Sequence, residues 1–289
     1  MSTSSRRSFL QTLTAGAAAL PWLARDASAE PAHKFPGVLG LELYTVRHLL
    51  DKDVPGTLKL VQNWGFTDVE GGSWYGRTAA EFKTLIGQYG LRMQSMLTGY
   101  EKLRDDPAGA VADAKAVGAS YLGTAWIPHK GAFTREHVDQ AIADFTKWSK
   151  ALKAAGLQFH YHVHGYEFQP SPDGTLLDTL IKNTPPEVLL QMDVFWVMRG
   201  GGHPDELLTK YPGRFALMHL KDIAVGTPLG DPTGTAPDET SVPVGKGQVN
   251  WPKLLQLAPG AGVKMFYIED EHPHAEVQVP ESLKYLATL

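Results

Sequence analysis

The amino-acid sequence predicts an α/β fold, specifically a (β/α)8 TIM barrel of eight parallel strands. Three observations lead to this prediction. Short apolar runs alternate with longer amphipathic segments, a glycine repeatedly follows the amphipathic segment, and the chain has 289 residues. About 260 of these remain after an N-terminal signal, a length that suits one such barrel.

Eight short apolar runs recur at intervals typical of successive β-α units, and each is expected to form one barrel strand. In chain order they are Val38–Leu43, Thr67–Glu70, Arg92–Met96, Tyr121–Ala125, Gln158–Tyr161, Val188–Met192, Phe215–His219 and Met265–Glu269. Because consecutive parallel strands need a crossover connection, a helix is expected between them.

Amphipathic segments with clear ends lie between the first five predicted strands. They are Val54–Trp64, Ala79–Tyr89, Ala108–Val117 and Arg135–Ala155, and a glycine directly follows each one. Glycine readily adopts the left-handed conformation that ends a helix. These glycines therefore indicate the turns at the N-terminal end of the barrel.

One segment interrupts this alternation. Residues Ile223 to Asn250 are rich in Gly, Pro, Thr and Asp and have little periodicity, so they predict a long loop after the seventh strand. A loop that follows a strand lies at the end of the barrel where the active sites of such enzymes are found.

The first 29 residues have the pattern of a twin-arginine export signal. Arg6 and Arg7 precede the apolar run Leu13–Leu23, and Ala27–Ala29 has the small residues of a cleavage site. We therefore expect residues 1–29 to direct export, to the periplasm or otherwise out of the cytoplasm. Residues 30–289 are expected to form a single catalytic domain.

Composition restricts the classes of partner and of metal site. The formal net charge is −4 and there is no cysteine. A negative chain is poorly suited to the phosphates of nucleic acid, and no run of about 18 apolar residues that could span a membrane follows the signal. Without thiolates, a metal must be held by oxygen and imidazole ligands. A small molecule is the expected partner, and assembly into a homo-oligomer is left open.

Acidic and histidine residues stand at or just after the C-terminal ends of the last four predicted strands. Glu167 follows the fifth strand, whereas Asp193, His219 and Glu269 close the sixth, seventh and eighth. Neighbouring strands lie only about 4.8 Å apart. We therefore predict that these four residues bind one divalent cation. Three carboxylates and one imidazole favour Mn(II), with Mg(II), Co(II) or Zn(II) as alternatives.

The chain resembles the sugar phosphate isomerase/epimerase family of xylose-isomerase-like barrels over nearly all of its predicted mature part. The motifs that carry the resemblance are Leu41–Arg47, Tyr161–Phe168, Asp193–Trp196, Gly213–Phe215 followed by His219–Asp222, Gly245–Trp251 and Tyr267–Glu269. The resemblance implies the same four metal ligands, and it implies that Glu167 and Glu269 also act as the acid/base pair. Val163 departs from the family, which usually has asparagine there, and His203 stands where many relatives have an acid.

Further residues near the predicted barrel mouth are candidates for contact with a sugar. His162 and His164 are expected to bind hydroxyl groups, with His164 as an alternative base, and Lys221 could neutralise a developing oxyanion. Aromatic rings and one further histidine after strands could form the walls of the sugar site. They are Tyr44, Trp74, Trp126, Trp196 and His129.

The expected activity is a metal-dependent isomerisation or epimerisation of a small, unphosphorylated sugar or keto-sugar. The reaction removes a proton next to a carbonyl, and a divalent metal stabilises the enediolate. Two alternatives remain open at this point. One is a lyase or dehydratase that acts on 3-keto-glycosides or related oxidised sugars, and the other is an exported barrel that binds carbohydrate without catalysis.

Overall fold

The structure of the protein is a computed structural model that describes residues 35–172 and 174–289. The predicted export signal lies outside the described residues. No helix in the described ranges is long and apolar enough to cross a membrane.

Eight parallel strands close into a barrel in which each strand pairs with its neighbours along the chain, and the eighth pairs with the first. The strands are β1 (Val38–Glu42), β2 (Asp68–Gly71), β3 (Arg92–Leu97), β4 (Tyr121–Thr124), β5 (Gln158–His162), β6 (Val188–Asp193), β7 (Phe215–Leu220) and β8 (Met265–Ile268). The predicted fold is therefore confirmed, and each strand lies within one or two residues of its predicted position.

Helices cover the outside of the barrel and connect the strands. In the described ranges they are α1 (Arg47–Leu50), α2 (Val54–Asn63), α3 (Ala79–Gln88), α4 (Tyr100–Asp105), α5 (Pro107–Val117), α6 (Arg135–Ala154), α7 (Leu176–Asn183), α8 (Val194–Arg199), α9 (Pro204–Lys210), α10 (Trp251–Ala261) and α11 (Ala275–Leu286). Their ends follow the sequence signals. For example, Thr78 and Glu81 form a capping box at the start of α3, and α5 ends at Gly118 in the left-handed conformation.

The barrel interior changes from apolar to polar along the barrel axis. Tyr121, Leu217 and Met265 pack together in one apolar layer. Further toward the C-terminal ends of the strands, the interior contains buried polar and charged side chains. These include Glu70, Ser95, His160, Gln191 and His219. Buried polar groups are stabilised by partners, and the Glu70 carboxylate is hydrogen-bonded to Ser95, Gln191 and His219.

The long segment after β7 is organised around the buried carboxylate of Asp222. This carboxylate accepts hydrogen bonds from the backbone N–H groups of Gly245, Gly247 and Val249, and from the indole N–H of Trp251. A short ribbon also pairs Asp222–Ile223 with Ser241–Val242. The predicted long loop is therefore present and held to the barrel, with a short helical turn and a ribbon inside it.

Candidate metal centre and substrate cavity

Four buried side chains meet at the C-terminal end of the barrel interior. His162 ends β5, Asp193 ends β6, His219 lies in β7, and Glu269 follows β8. Each offers one ligand atom, and these atoms all lie within 4.8 Å of one another. Because side chains alternate between the two faces of a strand, inward-facing residues of four consecutive strands reach one point. We refer to these four residues as the four-residue cluster.

Asp193 is arranged to leave one oxygen free at the centre of the cluster. Its Oδ1 atom accepts a hydrogen bond from the backbone N–H of Trp196 at 2.8 Å and so caps α8. Its Oδ2 atom is buried without a hydrogen-bond partner. Oδ2 lies 3.8 Å from Nδ1 of His219 and 3.9 Å from Nε2 of His162. Burying an oxygen with no partner is costly, and a cation between these donors would remove that cost.

Glu167, a predicted metal ligand, lies elsewhere. The chain turns at Gly165, which has φ +90°, into a short 3-10 turn that carries Glu167 away from the barrel axis. Its buried carboxylate accepts hydrogen bonds from the backbone N–H of His164 at 3.0 Å and from the hydroxyl of Tyr161. Burial raises the pKa of Glu167 to about 7. The structure thus brings Asp193, His219 and Glu269 together, and it brings His162 to them rather than Glu167.

Charged neighbours set the protonation of the ligands. Burial opposes the charged form of His219, but Glu269 and Glu70 outweigh it and raise the pKa of the imidazole well above its usual value. Burial also opposes ionisation of Glu269, but Lys221 and His219 hold its pKa well below the usual value. The centre therefore favours an ionised Glu269, and a cation could replace the proton of His219.

Glu70 lies directly beneath the cluster in the polar layer. Nε2 of His219 donates a hydrogen bond to its carboxylate at 2.5 Å, and the amide of Gln191 donates another at 2.8 Å. Ser95 contributes a third donor. Glu70 also belongs to a second group of close ligand atoms with Glu42 and His219. The sequence analysis did not identify this support.

Lys221 is buried and pairs with two carboxylates. Its Nζ atom lies 3.2 Å from Glu269 and 2.8 Å from Glu271, above the ring of Trp196. These carboxylates raise its pKa despite burial. Lys221 does not line the cavity that opens above the cluster. In this position Lys221 can orient the carboxylates of Glu269 and Glu271. The sequence had instead suggested that it contacts an oxyanion of the substrate directly.

A cavity of about 480 Å³ opens above the cluster at the barrel mouth. Several residues named from the sequence line it, namely Tyr44, Trp126, His162, His164, His219 and Glu269. Its wall also contains residues that the sequence analysis missed. The main ones are Glu42, Tyr75, Tyr100, Glu101 and Glu271. Glu42 and Glu271 stand at or after strand ends, so the criterion applied to the other four strand-end residues could have found them.

Three predicted sugar-contacting residues are not among those that line the cavity. Trp196 is buried and stacks on His164, with ring centres 4.4 Å apart. Trp74 packs against Phe82 of α3. His129 stacks on Trp126 at 4.7 Å, and its Nδ1 atom is hydrogen-bonded to a backbone carbonyl. These rings support residues of the wall or pack in the helix layer, and none of the three lines the cavity.

Two ionisable groups of the wall are shifted toward their neutral forms. Burial raises the pKa of Glu42 well above its usual value, and the nearby Glu70 adds to this effect. The Oε2 atom of Glu42 is buried without a partner. Burial lowers the pKa of His164 to about 3, which leaves a neutral imidazole near pH 7. Glu42 ends β1 and His164 follows β5 by two residues, and these two strands lie opposite each other in the barrel.

Comparisons with solved structures support the same architecture. One similar structure is a sugar phosphate isomerase/epimerase from Parabacteroides distasonis, with 24% identity, a TM-score of 0.71, and coverage of 93% of this chain and 98% of the other. An IOLI protein with a bound zinc atom has 15% identity and a TM-score of 0.65, covering 87% and 95% of the two chains. The probable 3-DHS dehydratase AsbF of Bacillus anthracis has 14% identity and a TM-score of 0.68, covering 86% and 98%.

At these identities the structural likeness establishes the fold alone. No curated protein matches the sequence significantly. The family model described as "Xylose isomerase-like TIM barrel" matches residues 58–289, which is most of the chain. The chain therefore belongs to the family of xylose isomerase-like TIM barrels.

Proposed function

We propose that the protein is a divalent-metal-dependent enzyme that moves a proton next to a carbonyl group of a small, unphosphorylated sugar or keto-sugar, and so isomerises or epimerises it. The single observation that carries the proposal is the unpartnered, buried Oδ2 atom of Asp193, which lies among three further potential ligands at the floor of a cavity.

The four-residue cluster would hold the metal. Two imidazoles and two carboxylates are a more nitrogen-rich set than the one expected from the sequence, and they favour Mn(II), Co(II) or Zn(II) over Mg(II). We retain Mn(II) as the proposed ion. When bound, the ion would supply Lewis-acid stabilisation of the negative charge that develops on the carbonyl oxygen.

The proton would be handled by residues of the cavity wall. Glu42 has a free, buried oxygen in the cavity wall, and its raised pKa makes its ionised carboxylate a stronger base toward a proton on carbon. His164 lines the cavity just after the opposite strand, β5, and its Nδ1 atom has no hydrogen-bond partner. Glu42 is therefore our candidate base, and neutral His164 our candidate for a hydroxyl of the substrate. Glu269 retains its proposed place at the metal, whereas Glu167 lies outside the cavity lining.

The proposal is tested by incubating the protein in D2O with a panel of unphosphorylated sugars and keto-sugars, with and without added metal. We expect deuterium at a carbon next to the carbonyl only when metal is present. Exchange that persists in full after chelation would contradict the metal requirement. Binding that survives chelation, with no label at carbon for any sugar, would instead indicate a carbohydrate-binding barrel.

A second candidate is a lyase that acts on 3-keto-glycosides. The cavity of about 480 Å³ favours it because a glycoside is larger than a single sugar. In that reaction a wall carboxylate takes the proton from the carbon next to the carbonyl. The C–H electron pair forms a carbon–carbon double bond as the glycosidic C–O bond breaks, and the released oxygen gains a proton. One similar structure is described as a probable dehydratase, which is consistent with this chemistry. Release of the aglycone from a 3-keto-glycoside would distinguish the lyase from the isomerase.

Export is part of the proposal and is supported by the twin-arginine pattern at Arg6 and Arg7. Replacement of both by lysine should retain a fused reporter in the cytoplasm, whereas the unchanged sequence should export it. Equal export of the two would remove this part of the proposal.

A further inference from the structure

The lining of the cavity is rich in acidic side chains. Among the described residues that line it, there is no lysine or arginine, but there are four glutamates, at positions 42, 101, 269 and 271. The buried ammonium of Lys221 is already paired with Glu269 and Glu271. Proteins usually bind phosphate through arginine, lysine or helix N-terminal amides. The first turn of α4 reaches the cavity, but it contributes Glu101 there.

The same cavity presents two aromatic rings to solvent. Six large hydrophobic residues are notably exposed in the described part of the chain, and the only two aromatic ones are Tyr44 and Trp126, with exposed fractions of 50% and 40%. Both line this cavity. Exposed aromatic surface that clusters in one place usually marks a binding site.

Both rings are held in place from behind. The guanidinium of Arg47 lies 4.2 Å from the centre of the Tyr44 ring, and it donates a hydrogen bond to the Tyr44 carbonyl at 2.9 Å. The ring of His129 stacks on Trp126 with an angle of 16° between the planes. Because neighbouring side chains already order these rings, a ligand would lose little conformational entropy in packing against them.

The cavity is larger than one sugar ring requires. Its volume of about 480 Å³ falls in the range of about 300–1,000 Å³ that holds drug-sized ligands, which are larger than a monosaccharide. If one sugar ring lies at the four-residue cluster on the floor, space remains for a second ring against the exposed aromatics.

We infer that the cavity binds an uncharged sugar that carries a second ring, as in a glycoside or a disaccharide, and that it discriminates against sugar phosphates. The inner sugar lies at the four-residue cluster, which rests on the proposed function, and the outer ring packs against Trp126 and Tyr44. The lining has no lysine or arginine to pair with a phosphoryl group, whereas the hydroxyl groups of a neutral sugar can donate hydrogen bonds to the wall carboxyl groups.

The test is isothermal titration calorimetry on the metal-loaded, full-length protein. The probes are glucose, galactose and mannose, each as the free sugar, the phenyl β-glycoside and the 6-phosphate. We expect at least one phenyl glycoside to bind about tenfold more tightly than its free sugar, which corresponds to about 1.4 kcal/mol. We expect each 6-phosphate to bind more weakly than its free sugar. Tighter binding of the 6-phosphates, or no advantage for any phenyl glycoside, would overturn the inference.

Matched variants locate the outer ring. Trp126→Ala and Tyr44→Ala should each weaken binding of the phenyl glycoside more than binding of the free sugar, and so remove most of the advantage of the glycoside. Val277→Ala, which truncates an exposed apolar side chain of α11 outside the cavity lining, should change neither affinity. If both aromatic variants leave the advantage intact, the position assigned to the outer ring is wrong.

Failure of this inference and failure of the proposed function give different results. Metal-dependent deuterium exchange that is fastest on sugar 6-phosphates would leave the proposed function intact and contradict the inference. Tight, aromatic-dependent binding of a phenyl glycoside, without exchange on any sugar, would support the inference and contradict the catalytic proposal.

Discussion

Nε2 of His219 donates a hydrogen bond to the Glu70 carboxylate at 2.5 Å, beneath the point where the four-residue cluster converges. An ionised carboxylate only accepts hydrogen bonds, so the proton of this pair belongs on Nε2. The other ring nitrogen, Nδ1, then faces Glu269 and Asp193. Glu70 thus fixes the imidazole form that can offer Nδ1 to a metal.

Removal of the charge of Glu70 should weaken metal binding. We expect Glu70→Gln to lower the affinity about tenfold and Glu70→Ala about a hundredfold, because carboxylates that orient a metal-binding histidine typically contribute this much. Metal titration against a competing chelator measures the effect. Ser95→Ala, which removes only one donor to Glu70, serves as the milder control. Wild-type affinity in Glu70→Ala would show that Glu70 does not position His219 for metal binding.

The identity of residue 162 should set the preference among metals. His162→Glu would replace one of two imidazoles by a carboxylate and restore the oxygen-rich set that the sequence suggested. We expect the ratio of Zn(II) to Mg(II) affinity to fall by about tenfold or more, because imidazole favours zinc and carboxylate favours magnesium. Competition titrations with the two metals measure this ratio. An unchanged ratio would argue that His162 is not a ligand.

Glu167 should make the free energy of unfolding depend on pH. Burial raises its pKa from 4.5 to about 7 in the folded protein. Between these values the folded chain binds more protons than the unfolded chain, so stability falls as pH rises and levels off above about pH 7. Glu167→Gln should reduce this fall by about 1–3 kcal/mol. Urea unfolding from pH 4.5 to pH 8 tests it, with Glu281→Gln on the exposed side of α11 as the control. Equal slopes for the two variants would refute the assignment.

Gly123 of β4 leaves room for the buried ring of His160. A Cβ atom at this position would clash with the His160 carbonyl and lie 2.6 Å from its ring. We expect Gly123→Ala to destabilise the protein by about 1–3 kcal/mol. Gly87→Ala in α3 meets nothing within 4 Å and should stabilise by about 0.5–1 kcal/mol. Thermal unfolding of wild type and the two variants measures these changes in stability. A Gly123→Ala variant as stable as wild type would contradict the tight packing between Gly123 and His160.

The sequence predicted those features that depend on local pattern. Asp193 and His219 lie at or within one residue of strand ends, where the alternation of side chains fixes their direction, so their convergence with Glu269 followed from the count of strands. Glu167 lies five residues beyond β5, and its direction depends on the turn at Gly165, which strand periodicity does not describe.

The support beneath the site was harder to predict because it is formed by distant parts of the chain. Glu70 and His219 are 149 residues apart in sequence, and only closure of the barrel brings them together. Glu42 and Glu271 are acids at or after strand ends, as the predicted ligands are. Glu271 pairs with Lys221, which lies 50 residues earlier in the chain, whereas Glu42 accepts a local hydrogen bond from the backbone N–H of Tyr44. The sequence also does not indicate the positive φ of Tyr75, the only such non-glycine among the described residues.

The metal content of three proteins tests the central claim most directly. Wild type, Asp193→Asn and Glu167→Gln are each loaded with Mn(II), and unbound Mn(II) is then removed by gel filtration. Elemental mass spectrometry gives the number of Mn(II) ions bound per chain. Asparagine retains an oxygen that can cap α8, so Asp193→Asn removes the charge at the cluster with little effect on the fold. We predict about one ion per chain in wild type and Glu167→Gln, and far less in Asp193→Asn. Full occupancy in Asp193→Asn, or loss of the ion in Glu167→Gln, would contradict this account.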